Sequence, residues 1–276
     1  MQTLVTGATG FLGQNLCQHL TQAGITTRAL VRAPERAQAL SALGVEVVAG
    51  DVTDEESVKR AMADVDVVEH LAGKLGIPGG PAEEYQRIHE QGTRIVLRQA
   101  RAHRVSRFVH CSTTGVFGVT GSRPADEDAA YAPTNAYERT KLQGETLVRA
   151  AMREGMPAAI VRPGLVYGPG DLHLLGFFRS IQRGVFRPIG RAPVWLHPIY
   201  IDDMSVAMMR AAEEAAKTGA RQANRPAPLV LGVTVLTSLD GPAIGEVGFA
   251  PDTTAQVERL GKLAADSGLR GLVCSP

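Results

Sequence analysis

The chain has 276 residues, 44% of them hydrophobic, and a formal net charge of +1. That size suits one large α/β domain or a domain with a smaller unit, and the charge gives no electrostatic case for nucleic acid or an anionic membrane. Cys17, Cys111 and Cys274 stand far apart with no CxxC pair and no His/Cys spacing for a metal, so neither a disulfide framework nor a metal site is expected. No apolar run approaches the roughly 20 residues of a membrane span. Strand-like residues follow Met1 directly, without a leader pattern, and the expectation is a cytoplasmic protein.

The first strand-like run, TLVTG at 3–7, opens into TGATGFLG and then the amphipathic stretch FLGQNLCQHLTQAG. Gly7 allows a tight turn, Gly10 lets a pyrophosphate approach the backbone, and Gly13 lets helix and strand pack closely. The helix that begins there offers unpaired N–H groups and a positive dipole end, so Thr9, Gly10, Phe11 and Leu12 are expected beside a dinucleotide. The second run, TTRALVR at 26–32, ends on Arg32 where a carboxylate for the ribose 2′-OH would sit. An arginine there pairs with a 2′-phosphate, which favours NADP slightly over NAD. The third run, VEVVAGD at 45–51, is followed by Asp51 and Val52 at the adenine end, while Asp54 before EESVKRAM is the better helix cap. The fourth, VDVVEHLAG at 65–73, brings Leu71, Ala72 and Gly73 to the sheet edge where ligands bind in such folds.

SRFVHCSTT at 106–114 is the fifth run and ends in hydroxyls, among them Thr113. AYERTK then places Tyr137 and Lys141 four apart, on one face of a helix. A phenol of ordinary pKa near 10 is a poor base at neutral pH, and a neighbouring ammonium stabilises its phenolate. Thr113 is placed to hold a reacting oxygen beside the tyrosine. The sixth run is AAIVRPGLVYG at 158–168, and a polar, Pro-containing break follows at 219–229. Continuous apolar runs alternating with helices predict an α/β fold, a Rossmann-like doubly wound parallel sheet.

Taken together, TGATGFLG, GDVTD, HLAG, CSTTGVFG, DEDAAYAPTNAYERTKLQGE, RPGLVYGPGD and HPIYIDDM resemble the extended short-chain dehydrogenase/reductases, the NAD-dependent epimerase/dehydratase family, over residues 1 to about 205. The resemblance implies that Tyr137 transfers the proton, that Lys141 lowers its pKa and holds the nicotinamide ribose, and that Thr113 is the catalytic hydroxyl. It also implies that Pro163 and Gly164 form the loop beside the nicotinamide. His89 replaces the family's asparagine in HEQGT, and Glu69 replaces an apolar residue before HLAG. Leu196 stands where nucleotide-sugar epimerases often carry an arginine, with Arg191 as the nearby candidate. Asp202 and Asp203 are read as helix-capping residues, and His70, His110 and His197 as isolated core or surface histidines.

The stretch from 226 to 276, with VTVLTSLD and GLVCSP, resembles an internal fragment of orotidine 5′-phosphate decarboxylase. That family's Asp-x-Lys-x-x-Asp signature is missing, so Thr237 and Ser238, which match its pyrimidine-contacting strand end, have no site to line. The chain thus reads as a chimera: a domain over 1–205 with a truncated substrate lobe, and a βαβ-like segment over 206–276. LVLGVTVL is expected to join the nucleotide-binding sheet as its last strand, with Val257, Leu260 and Leu263 packing a helix behind it. The expected activity is that of an NAD(P)-dependent oxidoreductase or epimerase acting on a sugar, nucleotide sugar or other hydroxyl or carbonyl compound, with a homodimer as a candidate assembly. The alternatives are a dinucleotide-binding protein without catalysis and, remotely, an inactive decarboxylase fragment.

Overall fold

The computed structural model describes residues 1–76, 80–120, 125–187, 197–221, 230–233 and 272–273. In chain order these form β1 (Gln2–Thr6), α1 (Phe11–Gln22), β2 (Thr26–Val31), α2 (Gln38–Ala42), β3 (Glu46–Ala49), α3 (Glu55–Ala61), β4 (Val67–His70), α4 (Ala82–Gln86), a π-helical turn (Arg87–Gly92) and α5 (Thr93–Ala102). There follow β5 (Arg107–Cys111), α6 (Ala136–Arg153), β6 (Ala158–Val161), β7 (Leu165–Tyr167), α7 (Leu175–Gln182), β8 (Pro198–Tyr200), α8 (Ile201–Arg221), β9 (Val230–Val233) and β10 (Leu272–Val273).

The main sheet is parallel in every pairing and runs β10-β9-β6-β5-β4-β1-β2-β3. The strand order reverses between β1 and β4, and the crevice at the carboxyl ends of those strands is where such sheets bind dinucleotides. Side chains alternate between two apolar layers, which is why the strands read as continuous apolar runs. Val5, Val67, Val109 and Val161 face α1 and α8, with Leu16, Met204 and Met208. Leu4, Val68, Phe108 and Ile160 face the other way, onto α3, α5 and α6, with Met62, Val96 and Val148.

Glu69 lies in register with Val5 and Val109 and is fully buried. Its Oε2 has no hydrogen-bond partner among the described residues, and burial pushes its carboxyl well above the usual range. At the other edge, β9 pairs with β6 through Ile160–Val230 and Val161–Leu231, and β10 pairs with β9. The residues read as Thr237, Ser238, Val257, Leu260 and Leu263 lie outside the described residues, as do Arg191, Leu196 and Cys274.

Candidate active site

The glycine turn between β1 and α1 has the shape its residues dictate. Gly7 has φ +73°, and a Cβ there would meet the Ala72 nitrogen and the Leu71 carbonyl carbon at 2.8 Å. A Cβ on Gly13 would run into the Gly7 carbonyl oxygen. Asp54 caps α3 by accepting from the Ser57 N–H at 3.2 Å, and Asn135 caps α6 by accepting from the Glu138 N–H at 3.0 Å. Helix α1 has no such side chain: Gly10 is its N-cap and no acid sits in its first turn. Its first N–H groups and its dipole face outward over Thr9 and Gly10, both exposed, with Phe11 and Leu12 half-buried beside them. A pyrophosphate fits this turn by chemistry and by clearance.

The loop after β4 packs against the same turn. Ala72 N–H donates to Thr6 Oγ1 at 3.2 Å and Leu71 N–H to the Thr6 carbonyl at 3.2 Å, with Gly73 exposed next to them. Asp51 accepts from both the N–H and the hydroxyl of Thr53, at 2.9 and 2.8 Å, ahead of the buried Val52. Arg87 donates to that hydroxyl at 3.1 Å. Arg32 is exposed beyond β2. Lys74 pairs with Glu84, and that contact, with the fields of Lys74, Arg87 and Arg32, holds the Glu84 carboxyl below the usual range. Glu84 and Arg87, which the sequence reading passed over, therefore share this end of the crevice with Arg32. Glutamates on exposed short helices carry no local signal that would have singled them out.

Thr113 follows β5 and caps a 3₁₀ turn, accepting from Gly115 N–H at 3.2 Å. Its hydroxyl interacts with the Tyr137 phenol. Burial pushes that phenol up to about 12, with the Thr113 hydroxyl pulling the other way. Lys141 is buried and donates from Nζ to the Cys111 carbonyl at 2.6 Å. Lys141 thus holds the end of β5 with one of its three N–H donors, while loss of water dominates at Tyr137. A phenol so placed keeps its proton at neutral pH.

His70 and His110 are core residues, as the sequence suggested, but they are not isolated. Their rings stack at 5.4 Å because the strand register sets them side by side. His70 accepts at Nδ1 from Thr6 Oγ1, 2.8 Å away, and donates from Nε2 to Thr93 Oγ1 at 2.9 Å, whose own proton goes to the His89 carbonyl at 2.6 Å. His89 accepts at Nε2 from the Lys74 N–H, at 3.0 Å, so its Nδ1 carries the proton and donates to Thr140 at 2.9 Å. Its ring meets Tyr137 edge-on at 5.5 Å. Burial first, then the Lys141 charge, lowers His70 and His89 to about 3 and holds His110 well below its ordinary value. All three are neutral. His197 stays exposed at the surface.

A second buried network fixes the loop after β6. Arg162 donates from Nε and Nη2 to the two carboxylate oxygens of Glu145, at 2.9 and 2.6 Å. Ser112 and Tyr131 donate to the same carboxylate at 2.8 and 3.0 Å. Burial alone would raise Glu145; the Arg162 guanidinium overrides it and brings the carboxyl to about 2. Pro163 follows directly, its carbonyl accepting from Thr114 N–H at 3.0 Å, and Gly164 lies so close to the His197 carbonyl that a Cβ would collide with it. Asp202 and Asp203 stand in the first turn of α8, and Asp202 accepts from Asn15 at 3.0 Å, tying α8 to α1.

A doubly wound sheet with an open glycine turn at its switch point, next to a buried Tyr/Lys helix, defines a dinucleotide-binding α/β protein of the dehydrogenase type. The chain belongs to the NAD dependent epimerase/dehydratase family, whose sequence profile matches residues 3–224. It is 35% identical over 219 residues to the 4-hydroxy-2-methyl-3-oxo-4-farnesyl-3,4-dihydroquinoline-1-oxide ketoreductase of Stigmatella aurantiaca, covering 77% of this chain and 65% of that protein. Sterol demethylase protein B of Methylococcus capsulatus is 36% identical over 62% of this chain and 53% of its own length. A 2-alkyl-3-oxoalkanoate reductase of Shewanella oneidensis is 33% identical over 76% and 56%. The chain thus spans between 53% and 65% of the length of these relatives. Among solved structures, UDP-glucuronic acid 4-epimerase from Bacillus cereus, in complex with UDP-glucuronic acid and NAD, superposes with a TM-score of 0.67 at 26% identity, over 77% of this chain and 73% of that one. The UDP-glucose 4-epimerase of Thermus thermophilus, complexed with NAD, shares the fold with a TM-score of 0.67 at 23% identity, over 83% and 85%. Among the described residues no helix is long and apolar enough to cross a membrane.

Proposed function

We propose that the chain is an NAD(P)-dependent oxidoreductase that reduces a ketone on a lipophilic skeleton, with Tyr137 as the proton donor. The observation that carries the reading is the meeting of the Tyr137 phenol with the Thr113 hydroxyl above Lys141, at the same sheet edge as the glycine turn. Gly7, Thr9, Gly10, Phe11, Leu12 and Gly13 would hold the pyrophosphate, Asp51 and Val52 the adenine end, and Leu71, Ala72, Gly73, Pro163 and Gly164 the nicotinamide side. Bound there, the dinucleotide supplies the hydride. Thr113 orients the substrate oxygen, and Tyr137 gives it a proton. Lys141, anchored on Cys111, fixes the pitch of α6 under the tyrosine and is the ribose-binding cation.

The substrate class rests on the relatives, which include a ketoreductase of a farnesyl-bearing dihydroquinoline oxide, a 2-alkyl-3-oxoalkanoate reductase and a ceramide reductase. The Bacillus cereus neighbour holds UDP-glucuronic acid, but Leu196 stands where an arginine would grip such a diphosphate. Arg32 supports a slight preference for NADP. We read residues 206–276 as a separate segment resembling a decarboxylase fragment without decarboxylase chemistry; the family match ends at residue 224. A homodimer in the cytoplasm completes the proposal. NADPH oxidation measured against long-chain 3-oxoacids and 3-ketosteroids, with epimerisation of UDP-sugars in the presence of NAD followed by analysis of the sugar products, tests it: turnover of an apolar ketone is expected, and turnover of UDP-sugars alone would overturn it. NADPH binding without turnover of any of them would favour the second reading, a dinucleotide-binding protein without catalysis, which the chain's span of its relatives keeps in play.

A further inference from the structure

Tyr137 is hemmed by three neighbours that its own helix does not supply. Tyr85 on α4 and His89 on the π-helical turn stack nearly parallel, 5.7 Å apart. Both meet the Tyr137 ring almost at right angles, at 6.1 and 5.5 Å. The third neighbour is backbone. A Cβ on Gly76 would lie 2.7 Å from Cγ of Tyr137, 2.9 Å from its Cβ and 3.0 Å from its Cδ1, closer than real side chains approach. Those atoms are the root of the side chain, fixed by α6, and cannot swing clear as a flexible tip would. Gly76 is not among the glycines of positive φ, so the turn itself does not call for glycine; the close approach to Tyr137 does.

Residues 74 and 75 bring the glycine to this place. Lys74 N–H donates to His89 Nε2 at 3.0 Å, and the Lys74 ammonium pairs with Glu84 on α4. The Tyr85 hydroxyl donates to the Leu75 carbonyl at 3.4 Å. The loop after β4 is therefore tied to both rings that flank the phenol, one residue before Gly76 meets its root.

We propose that Gly76 is a positioning residue for the proton donor: its backbone clamps the root of the Tyr137 ring and keeps the phenol oxygen at the Thr113 hydroxyl. This deepens, and rests on, the reading of Tyr137 given above. With Tyr85 and His89 already against the ring, a methyl group at position 76 forces one of two movements. Either the loop lifts, or the ring turns and takes the phenol from Thr113. Both cost rate, because a misplacement of about 1 Å can cost about a hundredfold. Both also let water reach the oxygen whose proton burial now protects.

Gly76→Ala in the full chain tests it, with Leu75→Ala as the control, since the Leu75 side chain is exposed and its tie to Tyr85 runs through the backbone. The first readout needs no substrate. Among the five tyrosines, the ring-carbon NMR signal of Tyr137 is the one lost in Tyr137→Phe. At about pH 10, where an ordinary phenol is half ionised, that signal is expected to be a phenol's in the parent and in Leu75→Ala. In Gly76→Ala it is expected to move toward the phenolate position. The second readout is kinetic. With an apolar ketone, Gly76→Ala is expected to lower kcat about tenfold to a hundredfold at unchanged NADPH affinity, and Leu75→Ala to leave kcat unchanged. A Tyr137 signal that stays put in Gly76→Ala would overturn the proposal, as would parental kcat in a variant whose signal has moved. Full kcat in Tyr137→Phe, or no ketone turnover by the parent, would sink the donor reading instead, and the NMR signal would still decide whether Gly76 sets the place of the phenol.

Discussion

His89 Nδ1 lies 2.9 Å from Thr140 Oγ1, so the imidazole that stands in for the family's asparagine is fastened to the helix of Tyr137 and Lys141 one residue before the lysine. Its other nitrogen holds the Lys74 N–H of the loop after β4 at 3.0 Å. One ring therefore joins the loop after β4 to the helix of Tyr137 and Lys141, and its edge contact with Tyr137 limits where the phenol can swing. His89→Ala is expected to lower stability by about 3 kcal/mol, from lost packing and an unpaired buried N–H. His89→Gln, which can keep one of the two bonds, is expected to recover part of that loss. Urea unfolding of both variants checks this; an alanine variant within about 0.5 kcal/mol of the parent would contradict it.

The neutral histidines set the acid limit of the fold. His70 and His89, lowered to about 3, and His110, lowered well below its ordinary value, are protonated in the unfolded chain before they are in the folded one. Their stabilisation is complete above the ordinary histidine pKa of about 6.5 and is lost as pH falls toward the folded values. Each contributes about 1.4 kcal/mol per pH unit in that window. Unfolding measured at about pH 7 and about pH 5 is expected to show a steep loss that His70→Gln reduces; a flat profile would contradict it.

Glu69 acts with the opposite sign. Its folded pKa is raised, so the folded state binds its proton more tightly, and stability falls as pH rises from the ordinary carboxyl range through the folded value. Glu69→Leu is expected to stabilise the protein at neutral pH by about 2 kcal/mol, since an unpaired buried carboxyl gives way to an apolar side chain between Val5 and Val109. The gain should shrink in acid, where the carboxyl is neutral in both states. Thermal unfolding of the variant reads it directly, and destabilisation at neutral pH would show that the carboxyl is partnered after all.

Arg162 and Glu145 are both buried, and removing Arg162 takes away the bidentate partner of a carboxylate that then keeps Arg149, at 3.0 Å, as its one ion pair among the described residues. Arg162→Ala is expected to cost about 3–5 kcal/mol and to loosen the Pro163–Gly164 loop that follows it. Weaker NADPH binding in titration calorimetry should accompany the loss of stability. Unchanged affinity would separate this network from the cofactor site.

At the other end of the crevice, Arg32→Ala is expected to reduce a preference for NADPH over NADH, whereas Glu84→Gln, by removing a negative charge whose field overlaps that of Arg32, is expected to increase it. Calorimetric titrations with both cofactors decide. Tighter binding of NADH by the parent protein would reverse the assignment.

What the sequence made legible was local. Gly7, Gly10 and Gly13 sit within one turn, and each strand facing two apolar layers reads as an unbroken apolar run. Tyr137 and Lys141 are one helical turn apart, so their common face follows from spacing alone. The histidine chain was hidden because its links join residues far apart in sequence: Thr6 to His70, His70 to Thr93, and His89 to Thr140. No local pattern announces that three histidines converge beneath Lys141. The direction of the Lys141 ammonium was also beyond the sequence, since a backbone carbonyl competes with the phenol for it and only the end of β5 shows which prevails.

The central claim is that Tyr137 donates the proton in an NAD(P)H-dependent reduction, and stopped-flow measurement of NADPH oxidation by Tyr137→Phe, with an apolar ketone that the parent protein turns over, tests it most directly. The account predicts a loss of about 10²–10⁴-fold in kcat with NADPH affinity almost unchanged, because the phenol oxygen is removed while the glycine turn is untouched. A variant that keeps most of its kcat would contradict it.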